Sequence, residues 1–301
     1  MDSDSALNGF SIERLRAFCK VAEAGSIVSA AKGDSTRQSQ FSRQIKELEE
    51  FFGTKLVERA GKTIRLTQDG KKVALLTQTF LRAVQDLRAS SGQKELLRLG
   101  AGESVLRWVL MPRLAAIQNL DPAVRFDLAT RRTGDCVESL KRGILDLAIV
   151  RSDAVEDGLT ALPCGSLSYS LVVPRKLLPG GMAAGVQFVR SLPFAMLSGD
   201  GVLAKMVVDL ASKLEIQLDI RMRAENFSLI MSAIESANLA TVLPEPAVKD
   251  LSKERFAVVQ VEGIASLSRN LVLAYATEAA NLRQEIRRFA PRLSALFSGA
   301  K

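Results

Sequence analysis

The sequence predicts an α+β, multi-domain fold: an N-terminal winged helix-turn-helix, a long linker helix, then an α/β region. Three observations predict it. Residues 11–90 carry helical spacing broken by one short turn and one hairpin-like stretch. A narrow apolar seam at 3,4,3,4 spacing joins Val73, Leu76, Phe80, Ala83 and Leu87. After the linker "SSGQ", residues 90–93, the pattern turns to short strands alternating with helices.

In the helical unit, Ser11 is placed to cap a first helix whose Leu15, Phe18, Cys19 and Ala22 share one face. Gly25 suits the left-handed stop, and Ser26 caps a very short second helix through Ala30 and Ala31. "GDST" connects to a third helix, "STRQSQFSRQIKELEEFFG" from Ser35 to Gly53, and two helices so joined are a helix-turn-helix. On a helical wheel Phe41, Ile45, Leu48 and Phe52 form the core stripe of that third helix. Ser39, Arg43 and Lys46 lie opposite, with Gln38 and Ser42 at the margins. "TKLVERAGKTIRLT" predicts a small hairpin turning at Ala60-Gly61-Lys62. Thr67 then caps the long helix that carries the seam.

In the second unit "LLRLGAG", "VRFDLAT", "LDLAIV", "SYSLVVP", "PFAML", "IQLDIRM", "ATVLP" and "NLVLAYA" are strand-like. Helices are expected over roughly 105–120, 136–143, 203–214 and 227–238, an alternation that indicates a mainly parallel sheet.

Composition narrows the function. Of 301 residues 47% are hydrophobic, enough for real cores, yet no apolar run approaches the ~20 residues of a membrane span. The acidic opening "MDSDSALNG" is unlike a signal peptide, so a cytoplasmic protein is expected. There is no histidine, which removes Ser-His-Asp and Cys-His nucleophiles, histidine acid–base work and most transition-metal sites. No catalysis, cofactor or metal is therefore expected. Cys19, Cys136 and Cys164 form no Cys-x-x-Cys pair and read as buried small hydrophobes. The net charge of +8 favours a polyanionic partner.

That partner has a candidate surface. The uncovered face of the third helix is amide, hydroxyl and guanidinium, near an N-terminus whose dipole favours anions. Arginine can read guanine edges and glutamine adenine edges, while the Ser39 and Ser42 hydroxyls suit phosphate oxygens. Arg59, Lys62 and Arg65 add positive charge in or near the hairpin. An ordinary solvated helix face would have the same composition, so the face alone leaves both readings open.

The run "GSIVSAAKGDSTRQSQFSRQIKELEEFFGTKLVERAGKTIRLTQDG" resembles, without a gap, the winged helix-turn-helix of LysR-type transcriptional regulators. The match includes Leu15, Phe18, Gly25-Ser26, Ala30-Ala31, Gln38-Ser39, Ser42, Gln44-Ile45, Leu48-Glu49, Gly53, Leu56, Arg59, Leu66-Thr67 and Gly70. The resemblance implies binding of double-stranded DNA through Ser26, Arg37, Gln38, Ser39, Ser42, Arg43, Gln44, Lys46, Arg59 and Lys62. It also implies a homodimer formed through the long helix, or a homotetramer. The family usually has Leu at position 34, a branched apolar residue at 36, Ser at 37 and Phe at 57, where this chain has Asp34, Thr36, Arg37 and Val57. Losing two apolar residues predicts a looser turn. Asp34, Ser35 or Thr36 can each cap early, which puts Arg37 in the first turn against the dipole.

The remainder resembles the family's effector region in layout: two α/β lobes like those of periplasmic binding proteins, joined by crossing strands, with a small ligand between them. The boundaries expected are residues 1–66 for the DNA-binding domain, 67–91 for the linker helix and 92–301 for the effector domain. Lobe I then takes 92–164 and 269–301, and lobe II 165–268. By that analogy Ser104, Thr133, Arg151, Ser198 and Gly199 follow strands and Phe227 opens a helix in the opposite lobe, where ligands of open α/β sheets bind. Arg132 and Arg151 point to an anionic effector such as a carboxylate. Alternatives are a thiol redox sensor pairing Cys136 with Cys164, or an α/β solute-binding protein or enzyme with an accessory helical domain.

Overall fold

A computed structural model describes residues 10–61, 63–89, 95–178, 186–198, 201–261, 263–264 and 267–298. Lys62 and Gly199 lie outside the described residues, as do the side chains of Arg59 and Leu87.

Helices α1 (Ile12–Ala24), α2 (Ile27–Ala30) and α3 (Ser35–Phe52) enclose a core of Leu15, Phe18, Val21, Ile45, Leu48 and Leu56. Gly25 closes α1 at φ 64°, and the Ser26 hydroxyl accepts from Ser29 N at 3.2 Å. Ser11 sits at the N-cap of α1, but its hydroxyl donates to Glu13 at 2.8 Å instead of capping an amide. Phe52 also departs from expectation. Its ring is 38% exposed, because the last turn of α3 leaves the core and stacks Phe52 edge-on against Phe51.

Strands β1 (Val57–Ala60) and β2 (Thr63–Leu66) pair antiparallel as the wing. Ile64 N donates to Gly25 O at 2.8 Å and ties the wing to the end of α1. Glu49 of α3 holds the base of the wing: its carboxylate accepts from Leu56 N at 3.0 Å and Val57 N at 3.3 Å and pairs with Lys55 at 2.8 Å. Thr67 Oγ1 accepts from Gly70 N at 2.9 Å and starts α4 (Gln68–Ala89). Gly70 leaves no room for a side chain, since a Cβ there would lie 2.0 Å from the Leu56 carbonyl oxygen.

The faces of α4 go to different places. Val73 and Ala74 complete the DNA-binding core, Leu75 enters the core of the second unit, and Leu76, Phe80 and Val84 are exposed. Val73 is thus removed from the expected seam, because it is turned into its own chain. The exposed apolar row is Leu76, Phe80 and Val84, with Ala83 half-buried beside it.

The second unit is built on a seven-stranded sheet of β3 (Glu95–Ala101), β4 (Val124–Thr130), β5 (Leu147–Arg151), β6 (Leu159–Pro174), β9 (Thr241–Pro244), β10 (Phe256–Val259) and β11 (Ser268–Ala276). β7 (Pro193–Leu197) and β8 (Asp219–Ala224) form a separate parallel pair. Among the described residues of the large sheet, β3–β4 and β3–β5 are parallel, while β11–β5, β11–β6, β6–β9 and β10–β6 are antiparallel. The mainly parallel sheet is therefore corrected to a mixed one. "SYSLVVP" and "NLVLAYA" are parts of β6 and β11, two long antiparallel strands that cross between the lobes, with a register shift between Asn270 and Val272.

The single helix expected over 105–120 is also broken. It divides into α5 (Glu103–Val105), a π turn over Leu106–Leu110, a 3-10 turn over Met111–Arg113 and α6 (Leu114–Leu120). Pro112 has no amide N–H to donate and cannot continue a regular ladder there. The other helices are α7 (Thr133–Lys141), α8 (Val186–Val189), α9 (Val202–Lys213), α10 (Phe227–Ser236), α11 (Thr277–Leu282) and α12 (Gln284–Ser298).

Candidate nucleic-acid interface and interlobe cleft

The start of α3 is set by Asp34, whose carboxylate accepts from Arg37 N at 3.1 Å and lies 3.6 Å from the Arg37 guanidinium. The charge that would oppose the dipole therefore has a counter-charge beside it. In the preceding turn Lys32 and Gly33 adopt left-handed φ of 52° and 83°. The amides of Lys32, Gly33 and Asp34 donate to the carbonyls of Ser29, Val28 and Ala31. Backbone hydrogen bonds and one cap hold the turn in place of the family's apolar residues.

Ser26, Gln38, Ser39 and Ser42 come together along one open groove, where α2, the first half of α3 and the wing meet at Thr63. Val28, 56% exposed, lines the same groove and supplies the apolar surface a thymine methyl would meet. Sequence reasoning missed Val28, because a four-residue helix is too short for periodicity to tell its exposed face from its buried one. Arg43 and Gln44 line a different groove, between α1 and α3, with Arg14 and Glu47. Arg43 pairs with Glu47 at 2.9 Å, and Lys46 with Glu50 at 3.5 Å. Exposed pairs of this spacing are worth about 0.3–0.5 kcal/mol, so phosphate oxygens can take over both cations at little cost.

In the second unit Ser104, buried in α5 just after β3, accepts a long hydrogen bond from Arg269 Nη2 at 3.4 Å. The Arg269 guanidinium lies 5.1 Å from the centre of the Tyr169 ring. Burial pulls the Arg269 guanidinium below its ordinary pKa and pushes the Tyr169 phenol up, with the Arg151 charge acting on both. The Tyr169 hydroxyl and Arg269 Nε are buried with no hydrogen-bond partner among the described residues. An unpartnered phenol and an unpartnered guanidinium N–H, with the Arg151 charge acting on both, are what an anionic ligand would satisfy.

The other expected cleft residues are distributed unevenly. Arg151 pairs with Asp153 at 2.9 Å, and Ser198 N donates to Ala224 O at 2.7 Å. Arg132 is exposed at the N-cap of α7, and Thr133 is half-buried in its first turn. Phe227 is a correction. It is buried, its ring packs edge-on against Trp108 of lobe I at 5.3 Å and its backbone amide donates to Glu103, so ring and amide both meet the opposite lobe and the ring is closed off from the cleft. Alternation in "SYSLVVP" marks Tyr169 as inward-facing, but only the register of the crossing strands brings it to Arg269.

Residues 12–71 match the family described as bacterial regulatory helix-turn-helix protein, lysR family, and residues 90–294 match the LysR substrate binding domain. A probable hydrogen peroxide-inducible genes activator of Mycobacterium avium is 28% identical over 261 residues, 83% of each chain. A probable RuBisCO transcriptional regulator of a Synechocystis strain is 26% identical over 255 residues, 80% of this chain and 73% of that one. Full-length OxyR from Pseudomonas aeruginosa superposes with a TM-score of 0.66 at 17% identity, over 97% of this chain and 96% of that one. CbnR, solved in complex with its target DNA, gives 0.57 at 19% identity, over 94% of this chain and 99% of that one.

Proposed function

The chain belongs to the LysR family of DNA-binding transcriptional regulators, and on that premise we propose how its surfaces divide the work. The groove shared by Ser26, Gln38, Ser39 and Ser42 is the observation that carries the reading, because it joins α2, α3 and the wing in one continuous surface of hydrogen-bonding and apolar side chains. It docks on double-stranded DNA with α3 in the major groove, the Gln38 amide on base edges and the serine hydroxyls on phosphates. Arg37, with its side chain 64% exposed at the helix start, contacts a flanking phosphate. Arg37→Ala is expected to weaken operator binding and to reduce the slope of log K against log salt by about 0.9, the value of one phosphate contact. Retardation titrations at several salt concentrations measure this, and an unchanged slope would count against the phosphate role.

The exposed row of Leu76, Phe80 and Val84 supports a homodimer formed through α4, and the boundaries taken are 1–66, 67–91 and 92–301. The effector is a small anion, a carboxylate by its chemistry, held between the lobes by Ser104, Arg269 and Tyr169 with Arg151 nearby.

A relative's name mentions hydrogen peroxide, but this chain's thiols are poorly placed for that chemistry. Cys136 is fully buried and pushed up to about 11 by burial, and Cys19 and Cys164, also buried, are pushed up to about 12. Cys136 and Cys164 also belong to different core clusters. The nucleophile that attacks peroxide is the thiolate, which is scarce at neutral pH for such groups. Mild peroxide should leave all three thiols available to a thiol reagent after denaturation. A Cys136–Cys164 disulfide in a peptide map would reverse this reading.

A further inference from the structure

Helix α10 opens lobe II toward lobe I, and its amides are already taken by a carboxylate from the other lobe. Glu103 accepts from Phe227 N at 2.8 Å, from Ser228 N at 3.1 Å and from the Ser228 hydroxyl at 3.0 Å. This is more than an ordinary helix cap. Asn226 already caps α10 by accepting from Leu229 N at 2.9 Å, and Glu103 takes the two earlier amides that a helix normally leaves to water or to a ligand. Two further contacts cross at the same point: Trp108 Nε1 donates to Asp250 at 2.7 Å, and Arg107 donates to the Ser228 hydroxyl at 3.3 Å. Glu103 is half-buried and directly precedes Ser104, which meets Arg269. The orphaned Tyr169 hydroxyl and Arg269 Nε stand beside that contact.

We propose that the Glu103 carboxylate is the resident anion of the interlobe cleft, an internal ligand that latches α10 to lobe I until a diffusible carboxylate takes its place. This rests on reading the cleft as the effector site and adds how that site is regulated. While Glu103 occupies the α10 amides, an incoming carboxylate must displace it, and its apparent affinity falls by the fraction of molecules that are unlatched. Once displaced, the two amides and the Ser228 hydroxyl hold one end of the incoming ligand, and Arg269 with Tyr169 offers unpaired donors near the other.

The test is chemical rescue in the full-length chain. Glu103→Ala should lower the melting temperature by roughly 3–8 °C, as loss of a charge-assisted hydrogen-bonded group does in a chain of this size. It should also speed hydrogen exchange at the Phe227 and Ser228 amides. Sodium acetate, against sodium chloride at equal ionic strength, should restore both in Glu103→Ala with saturation and leave the wild type unchanged. Glu103→Gln keeps the side-chain volume and should show the same loss of protection, so the test stands if the alanine variant folds poorly. Acetate that rescues neither variant, or that protects wild type equally, overturns the latch. Carboxylate binding to the wild type that is lost in Arg269→Ala, together with failed rescue, would retire the latch and leave the effector reading intact.

Discussion

Asp146→Asn is expected to destabilise the chain by about 3–5 kcal/mol, the cost of leaving buried cations without their counter-ion. Asp146 is 3% exposed and stands where the linker helix meets the second unit. Its carboxylate pairs with Arg82 of α4 at 2.7 Å and with Arg283 at 2.6 Å, and it accepts from Arg98 N at 2.8 Å. Arg82 also donates to Ile144 O at 3.0 Å, and burial draws its pKa below the ordinary value. An asparagine can accept from only one side, and both guanidinium groups would then face a neutral amide. Arg82→Met should cost much less, because Asp146 would keep Arg283 and the Arg98 amide while the methionine fills the stem's volume. Urea unfolding of both single variants and the double variant measures the coupling, and equal costs for the two singles would refute this account. The cluster also has a functional side. It is one of the polar ties between α4 and the second unit, with Lys71–Glu138 at 3.0 Å, and the Arg142 donation to Ala22 O ties the second unit to α1. A variant that folds but lacks the tie should bind operator and respond weakly to effector.

Legibility in the sequence follows locality. The helix-turn-helix was readable because caps, glycine stops and the Phe41–Ile45–Leu48 stripe act within one or two turns of each other. Gly25, Ser26, Asp34 and Thr67 all do at their places what their chemistry predicts. Ser11 and Phe52 failed because each found a closer partner, Glu13 and Phe51, than the helix itself offered. The cleft was much less readable. Strand positions such as "PFAML" are local, but direction is not, and nothing in "SYSLVVP" says that its strand starts at Leu159 and crosses to the other lobe. Arg269, Tyr169 and Glu103 are separated from Ser104 or Phe227 by up to 165 positions, and only that crossing brings them together. Val73 shows the same limit on a helix. The 3,4,3,4 spacing identified an apolar row, and tertiary packing decided which of its members remained outside.

That remaining row makes the second large prediction. Leu76 and Phe80 are 47% and 50% exposed, one turn apart on the face of α4 turned away from both of the chain's own cores, with Val84 one further turn along. A long helix with such a stripe gains by pairing with a copy of itself, and a symmetric pair presents two recognition helices to two half-sites. Leu76→Asp combined with Phe80→Asp places like charges at the centre of that contact while removing nothing from either core. The variant is expected to sediment as a smaller species that stays folded at about 25 °C, with an unfolding midpoint that no longer rises with protein concentration. Its operator affinity should fall by about 10²–10⁴, the avidity lost when the second half-site must be bound independently. Arg37→Ala, by contrast, acts on docking alone and should leave the oligomer intact, so sedimentation separates the two causes of weak binding. If the double aspartate variant sediments like wild type, the pairing face is elsewhere. If it dissociates but holds operator with unchanged affinity, the two half-sites are not bound through this helix.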